Sequence, residues 1–545
     1  MMQENYEEFS QEQMQILEQF VSNTNINVFA LHNLPEVIKG ALFSRYSRSR
    51  LGLRSLLLKE FINNEETGFN SIVAYPGGSS EAKEQVLAIQ KAQNFYDRIL
   101  DGYGDDSIGE LGGAHLALES VSMVATKLIE DCRIGGSPLE KSTRYIYFDQ
   151  KVGGEYQFYR EPILMTSAYR QLYVDTCNML FETYSRLIPP LTEIMEAKVP
   201  KKEDDSKAAY AAAIRAKVLD CLRGLLPAGT LTNMGIYGNG RFFDGLIRKM
   251  RMNNLAEMQD LGQKSYGELS KIIPSFIRRA EPSHRHYQSE LAYKEMMEGQ
   301  LKEIAAKQNI SSESTKGLGV RLVDYDPQSV EKVAAALLFS WGKHDLEQLR
   351  NHCDELSQEQ IATILDAACV GRENRRHKSP RALEHAVFNF EIIADYGIYR
   401  DLQRHRMLTQ ERQLLSCDYS YYCPVDLEGT SMMQEYHEAL QKAKQAYDTI
   451  ADELPEEAQY VVPMAYNIRW YFQVNLRALQ WMCELRSSPA GHPSYRYVVQ
   501  EMAKKIFDVF PAFERFFKFV DFEGYELGRL QQEERQQGRK AERQN

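Results

Sequence analysis

Apolar residues recur at helical spacing over most of this chain, and that periodicity predicts a protein built mainly of α-helices. Long helical patterns cover 80–100, 108–131, 163–189, 208–226, 241–250, 328–350, 383–403, 432–452, 467–486 and 494–510. Segments 28–44 and 320–340 each predict a short strand, a turn marked by proline and a helix. Strands combined with a majority of helices indicate the α/β fold class, in a helix-rich α+β form.

Several of these landmarks occur twice in the same order. Besides the strand–turn–helix pattern, Asn239-Gly240-Arg241 and Asn475-Leu476-Arg477 each begin an amphipathic helical pattern late in their half of the chain. The polar segment 307–319, which contains Gly and Ser, is typical of a linker. At 545 residues two domains are expected. We therefore predict tandem domains at 1–310 and 311–530, followed by a polar tail at 531–545 that frays or extends a helix into solvent.

Composition and charge exclude several classes of protein. A hydrophobic content of 43% with 26% charged residues is typical of a globular chain, and a formal net charge of −11 disfavours a nucleic-acid polymer as partner. No apolar run is long enough to span a bilayer and the first residues are acidic, so we expect no membrane association and a cytoplasmic location. The eight cysteines lack the spacing of a zinc site, so we expect reduced thiols and no metal.

The densest run of hydrogen-bond donors is Arg404-His405-Arg406, which follows the helical pattern 383–403. Two guanidiniums flanking an imidazole are suited to binding a phosphate or an electron-rich ring. The alternative is a solvated basic helix end, which the helix dipole favours. The residues upstream of this run decide in favour of a binding site.

Glu384-His385, a short apolar stretch and then Arg404-His405-Arg406 resemble the signature of the flavin-dependent thymidylate synthase (ThyX) family. The rest of that signature, Glu-x-Ser-x-Arg-Tyr, is absent after the Arg-His-Arg run but resembles the segment Ser137–Tyr145 in the first half. The residues that match it there are Glu140, Ser142, Arg144 and Tyr145. The chain thus resembles a divergent tandem duplication of one ThyX domain, in which each copy keeps the part of the motif that the other has lost.

The resemblance implies a mixed sheet flanked by long helices in each domain, and a homo-oligomer that would be a dimer of tandem chains. It also implies an enzyme that binds FAD and methylates dUMP reductively to dTMP, with methylenetetrahydrofolate and NADPH as co-substrates. The family uses flavin hydride and needs no cysteine nucleophile. A catalytically degenerate paralogue that binds flavin or nucleotide, or a flavoenzyme acting on another uracil derivative, remains the alternative.

The resemblance also assigns roles to individual residues. The cofactor-binding set is Arg404, His405, Arg406, Asn475 and Arg477; the substrate-binding set is Glu140, Ser142, Arg144 and Arg404; and Arg496, the remnant of the pyrimidine-polarising element, is catalytic. For Ser142 and Arg144, which we expect on an extended segment with both side chains on one side, the alternative is an edge strand with its polar face in water. For Asn475 and Arg477 it is a helix N-cap followed by a surface arginine.

Overall fold

The fold was analysed in a computed structural model, which describes residues 9–62, 106–310 and 317–544. Its seven strands in this part of the chain are β1 Gly113–Ser122, β2 Gly136–Glu140, β3 Leu231–Asn239, β4 Gly319–Tyr325, β5 Val387–Asp395, β6 Thr409–Arg412 and β7 Asn467–Asn475.

The α-helices of the described residues outnumber the strands. They are α1 Gln11–Leu17, α2 Glu36–Tyr46, α3 Leu53–Leu56, α4 Met123–Glu130, α5 Pro162–Thr166, α6 Arg170–Lys198, α7 Lys207–Leu222, α8 Gly240–Arg251, α9 Ala256–Leu269, α10 Arg285–Ala306, α11 Ser329–Phe339, α12 Leu346–Glu355, α13 Gln358–Ala367, α14 Tyr396–Leu402, α15 Ser431–Ala451, α16 Leu476–Arg486, α17 Pro493–Val509 and α18 Leu530–Gln544. The helix-rich α/β fold class is therefore confirmed.

The two sheets repeat one arrangement. Their strand orders are β1-β3-β2 and β4-β5-β7-β6, and the pairings of β2 with β3 and of β7 with β5 and β6 are antiparallel. Ser137 pairs with Tyr237 in the first sheet, and Thr409 pairs with Gln473 in the second. In the resembled motif a Ser or Thr stands three residues after the Arg-His-Arg run; Thr409 holds this position in the second repeat, and Ser137, the first residue of the matching segment, holds it in the first. Strands β2 and β3 therefore correspond to β6 and β7, as a duplication requires.

In both copies a strand passes directly into a helix through a polar capping residue. The side chains of Asn239, Asp395 and Asn475 accept hydrogen bonds from the first turns of α8, α14 and α16. The prediction that Asn239 and Asn475 begin helices is therefore confirmed.

The helices predicted over 108–131, 383–403 and 467–486 are partly wrong, because each contains a strand, β1, β5 or β7, ahead of its α-helix. Strand β5 is buried along both faces toward its end, and periodicity alone does not distinguish such an apolar run from a buried helix. The predicted helix 328–350 is divided into α11 and α12, and 80–100 lies outside the described residues. The strand predicted within 28–44 is wrong, since that segment contributes only an isolated bridge between Val21 and Leu31.

The chain divides into two compact units that do not follow the order of the sequence. The first contains Met1–Glu119, Asp131–Glu140 and Asn233–Ile310, and the second contains Ser120–Glu130, Lys141–Thr232 and Ser311–Asn545. The second unit therefore combines part of the first repeat with all of the second repeat. The boundaries at 310 and 530 stay predictions about the repeats.

Backbone hydrogen bonds join the two repeats inside the second unit. The amide of Ala228 donates to the carbonyl of Val462 at 2.8 Å, and the amide of Met464 donates to the carbonyl of Leu226 at 2.9 Å. Helix α18, part of the predicted polar tail, lies against α7, where Ser206 donates to Gln537 at 2.5 Å. No helix in the described part of the chain is long and apolar enough to cross a membrane.

Candidate functional site

The Arg-His-Arg run, residues 404–406, forms the turn between α14 and β6 in the second unit. Every residue of α14 is buried, which fixes the start of the turn. The end of the turn is fixed by β6, whose first residue Thr409 pairs with Gln473 of β7. Since β7 ends two residues later at Asn475, the run and Asn475 lie at the same end of the sheet.

Asp401 on α14 is the carboxylate around which three arginines gather. It forms an ion pair with Arg404 and lies 3.6 Å from Arg223 and 3.8 Å from Arg486, measured from carboxylate oxygen to guanidinium nitrogen. Burial opposes ionisation of Asp401, but the positive charges of Arg404, Arg223 and Arg486 outweigh it and hold the pKa of this carboxyl well below its usual range. Asp401 therefore stays negative and fixes the arginines.

His405 is held neutral within this group. Its Nε2 accepts a hydrogen bond from Nε of Arg486 at 3.0 Å, and Nη2 of Arg486 also donates to the carbonyl of Asp401 at 2.6 Å. Burial, with the charges of Arg486 and Arg404, lowers the pKa of His405 to about 3. Because Nε2 is an acceptor, the ring proton is on Nδ1, which can donate to a ligand.

Arg144 of the first repeat lies in the same unit. Its Nε and Nη2 donate to the two carboxylate oxygens of Asp220 at 2.6 Å each, and its Nη1 donates to the hydroxyl of Tyr495 at 2.9 Å. Both members of the ion pair are buried, with side-chain exposures of 8% and 9%. Burial opposes ionisation of Asp220, yet Arg144 holds its pKa well below the usual range. The pair is therefore a fixed bidentate contact.

Tyr495 connects the two repeats at this point. Its ring centroid lies 5.4 Å from the guanidinium carbon of Arg144 and 5.7 Å from that of Arg486, a distance typical of cation–π contacts. Arg486 in turn contacts His405, so a continuous set of contacts leads from the first repeat's motif to the second repeat's motif.

The segment that carries Ser142 and Arg144 is a turn, so neither the expected extended segment nor the alternative edge strand is found there. The hydroxyl oxygen of Ser142 accepts from the amide of Arg144 at 3.3 Å, and the carbonyl of Ser142 accepts from the amide of Tyr145 at 3.4 Å. A serine side chain that bonds the backbone two residues on favours such a turn over a strand.

The other residues assigned by resemblance lie in different surroundings. Asn475 caps α16, and Arg477 forms an ion pair with Glu384 at 2.7 Å and donates to the carbonyl of Ser379 at 2.8 Å. Arg406 is exposed on the turn. Glu140 is the buried last residue of β2, in the first unit.

Arg496 is buried in α17, away from the contacts described above. Its Nε donates to the carbonyl of Ser487 at 2.7 Å, and its Nη2 donates to Asp521 at 3.1 Å and to the carbonyl of Glu523 at 2.9 Å. These bonds join α17 to the segment that precedes α18. It is Tyr495, the preceding residue, that contacts Arg144.

The second unit holds an excess of positive charge here. We define the arginine cluster as Arg144, Arg223, Arg404, Arg486 and Arg529; the neighbouring acids are Asp220, Asp395 and Asp401. Five guanidiniums against three carboxylates leave two positive charges. His492 does not add to them, because burial and the charge of Arg223 lower its pKa to about 3. Such an excess suits an anionic ligand.

Sequence reasoning missed most of this cluster. Asp220 and Arg223 did leave a signal, because they interrupt the apolar run Val218–Leu226, and charged residues are rarely buried unless they are paired. Arg486 and Arg529 left none, since arginines that flank helices are mostly exposed in proteins.

Comparison with known proteins agrees with the repeated architecture. Residues 64–275 and 321–512 each match the family model described as Thymidylate synthase complementing protein. A UPF0159 protein of Chlamydia pneumoniae is 54% identical over 97% of this chain and 98% of its own length, and one of Thermoplasma acidophilum is 33% identical over 91% and 98%.

A more distant relative matches a smaller part of this chain. The flavin-dependent thymidylate synthase of Clostridium tetani is 25% identical over 36% of this chain and 85% of its own length. The chain is therefore a tandem member of the Thymidylate synthase complementing protein family.

Proposed function

We propose that the chain is a flavin-dependent thymidylate synthase that converts dUMP to dTMP at a composite site, built by both repeats within the second unit. FAD is the proposed cofactor, methylenetetrahydrofolate the one-carbon donor and NADPH the reductant. Family membership and the flavin-dependent synthases among the distant relatives support this assignment.

The observation that carries the proposal is the contact between Arg144 of the first repeat and Tyr495 of the second, beside Arg486 and His405. The first repeat has lost the Arg-His-Arg run and the second has lost the Ser-x-Arg pair. A working site therefore needs both, and one compact unit contains both.

The residues at the Arg-His-Arg turn fit an anionic flavin nucleotide, because the arginine cluster has an excess of positive charge. Arg404, His405 and Arg406 would hold the flavin, with Asn475 and Arg477 near the same end of the sheet. When bound, the flavin would supply to the one-carbon unit the hydride that it takes from NADPH. In the net reaction, C5 of uracil loses a proton and gains a methylene carbon and a hydride, which form the methyl group.

The chain's own residues would bind and orient the reactants. The charge of Arg404 would stabilise negative charge on the flavin ring, and the Nδ1 proton of His405 would donate to a ring oxygen. The hydroxyl proton of Ser142 would donate to a phosphate oxygen, since the hydroxyl oxygen accepts from the backbone. Arg496 is the residue proposed to polarise uracil.

We also propose that two tandem chains form a dimer. Light scattering, which measures the mass of the particle in solution, tests this proposal.

A second candidate is a paralogue that binds flavin or nucleotide without turnover. The contacts of Arg496 favour it, because Asp521 and two backbone carbonyls already engage this guanidinium. Both candidates bind flavin or nucleotide, but only the first converts dUMP to dTMP.

Thymidine-free growth of a thymidylate-synthase-deficient host that carries the gene separates them. We expect growth. If the host does not grow, and the purified protein is yellow and binds dUMP but makes no dTMP, the first candidate is refuted and the second is supported.

A double variant tests where the flavin binds. Arg404→Ala with Arg406→Ala should give a colourless, folded protein that does not support growth, because the cationic turn is lost. The matched control is Arg535→Ala with Arg539→Ala, two exposed arginines on α18, which should stay yellow and active. A folded Arg404/Arg406 variant with full flavin content would refute the assignment.

A further inference from the structure

Arg529 immediately precedes α18, in a part of the chain beyond the family match that ends at residue 512. Its carbonyl accepts the first hydrogen bonds of the helix, from the amides of Gln532 and Glu533. Its side chain turns inward and only 8% of the residue is exposed. This burial is unusual, because arginines of a terminal polar helix ordinarily face water.

The guanidinium of Arg529 is only partly bonded. Its Nε donates to the carbonyl of Ala490 at 3.3 Å, and its carbon lies 4.4 Å from the ring centroid of Tyr145. Its Nη1 is buried without a hydrogen-bond partner, and Arg529 forms no ion pair within the described ranges 9–62, 106–310 and 317–544. A buried donor on a charged group that lacks a partner destabilises the protein until it finds one.

Among the described residues, the carboxylate that acts on Arg529, that of Asp220, is already paired with another arginine. Both carboxylate oxygens of Asp220 accept hydrogen bonds from Arg144. The carbonyl of Ala490 accepts from Arg144 and also from Arg529. Burial first, and then the charge of Arg144, lowers the pKa of Arg529. The two guanidiniums therefore share the carbonyl of Ala490, while the carboxylate of Asp220 is bonded to Arg144, and a second anion would stabilise both arginines.

We infer that Arg529 is a specificity-determining residue, which binds a phosphate oxygen of the nucleotide through Nη1 next to the Ser142–Arg144 turn. Arg144 itself is occupied by Asp220 and Tyr495, so it positions the turn while Arg529 supplies the open donor. The ring of Tyr145, which is 49% exposed, covers the guanidinium and must rotate to admit the ligand. The inference rests on the proposed function for the nucleotide, and assigns the phosphate contact to a segment outside the family match.

Calorimetry on the full-length protein tests this with three probes: dUMP, deoxyuridine and inorganic phosphate. Arg529→Gln should weaken dUMP binding by about ten- to a hundredfold, the loss expected for one charge-assisted contact, and should leave deoxyuridine binding unchanged. The control is Arg535→Gln, an exposed arginine of the same helix, which should bind all three probes like the wild type.

Each result decides the matter. Wild-type dUMP affinity in Arg529→Gln, or an equal loss for dUMP and deoxyuridine, overturns the inference. If the wild type binds phosphate but neither nucleotide nor nucleoside, the proposed function fails, and Arg529 is then judged by the loss of phosphate binding in Arg529→Gln. If the wild type binds neither dUMP nor phosphate, both ideas fail. Should Arg529→Gln not fold, Arg529→Met replaces it: methionine keeps an apolar side chain of similar length but has neither a charge nor a donor, so unchanged dUMP affinity refutes the role.

Discussion

The bidentate pair of Arg144 and Asp220 offers the sharpest test of the composite unit, because it can be broken from either side. Asp220→Asn leaves a buried guanidinium without its carboxylate, and Arg144→Gln leaves a buried carboxylate without its guanidinium. Removing one partner of a buried ion pair costs roughly 3–5 kcal/mol, and the exposures of 8% and 9% place this pair in that class.

The double variant carries neither charge, so its loss should be smaller than the sum of the single losses. Contacting residues show coupling energies of about 0.5–3 kcal/mol, and two hydrogen bonds of 2.6 Å favour the upper part of that range. The control is the pair of Lys444 and Asp448, which is 42% and 50% exposed. Breaking this surface pair should cost about 0–1 kcal/mol.

Urea unfolding followed by tryptophan fluorescence measures these losses in the relevant unit. The protein has three tryptophans, Trp341, Trp470 and Trp481, and all of them belong to the second unit. If the double variant loses as much stability as the two single variants together, the pair is not coupled. If the single variants lose no more than those of the control pair, the contact does not behave as a buried one.

The same pair predicts a pH dependence. The folded-state pKa of Asp220 is depressed, so its contribution is present above the unfolded-state pKa of about 3.9 and is lost as the pH falls. The stability difference between the wild type and Asp220→Asn should therefore shrink in increasingly acidic buffer. A difference that grows on acidification would contradict this sign.

Three further outcomes follow from the contacts. Arg496→Ala should stay yellow but lose methyl transfer, whereas Asp521→Asn, which removes the negative charge paired with Arg496, should remain active; equal losses of activity would make Arg496 an anchor of the C-terminal segment. Burial raises the pKa of Asp395 to about 6, so the contribution of this carboxyl to stability should fall as the pH rises from about 4 to above 6. Urea titrations should therefore show the stability of the wild type falling over this range relative to Asp395→Asn, which keeps the helix cap. Residues 311–545 expressed alone should not unfold cooperatively, because this fragment lacks residues 141–232 of the second unit, and co-expression with 1–310 should restore cooperativity; an isolated 311–545 with the midpoint of the full chain would contradict the division into units.

The sequence alone determined the class of fold and the duplication. Helical periodicity is a local property, and it placed several helices, such as α7, α8, α15 and α17, close to their observed bounds. The split motif identified the family, and its two parts occupy matching registers, Ser137 opposite Tyr237 and Thr409 opposite Gln473. Spacing along the chain was sufficient for both conclusions.

Periodicity failed where burial on both faces hides the difference between strand and helix. Strand β5 contains apolar residues that fit either period, and only its pairing with β4 and β7 decides that it is extended. Those neighbours lie far away in the sequence, so a local pattern carries no information about them.

The tertiary structure alone decided which charged residues meet. Arg144 is 76 residues from Asp220 and 351 residues from Tyr495 along the chain, and Arg529 joins them from beyond the family match. No spacing rule predicts these contacts, because an ion pair depends on distance in space, while its strength depends on burial. The sequence could name the two parts of the motif, but only the folding of the first repeat's residues 141–232 into the second unit brings Arg144 to Tyr495, whose ring also contacts Arg486 at the end of α16.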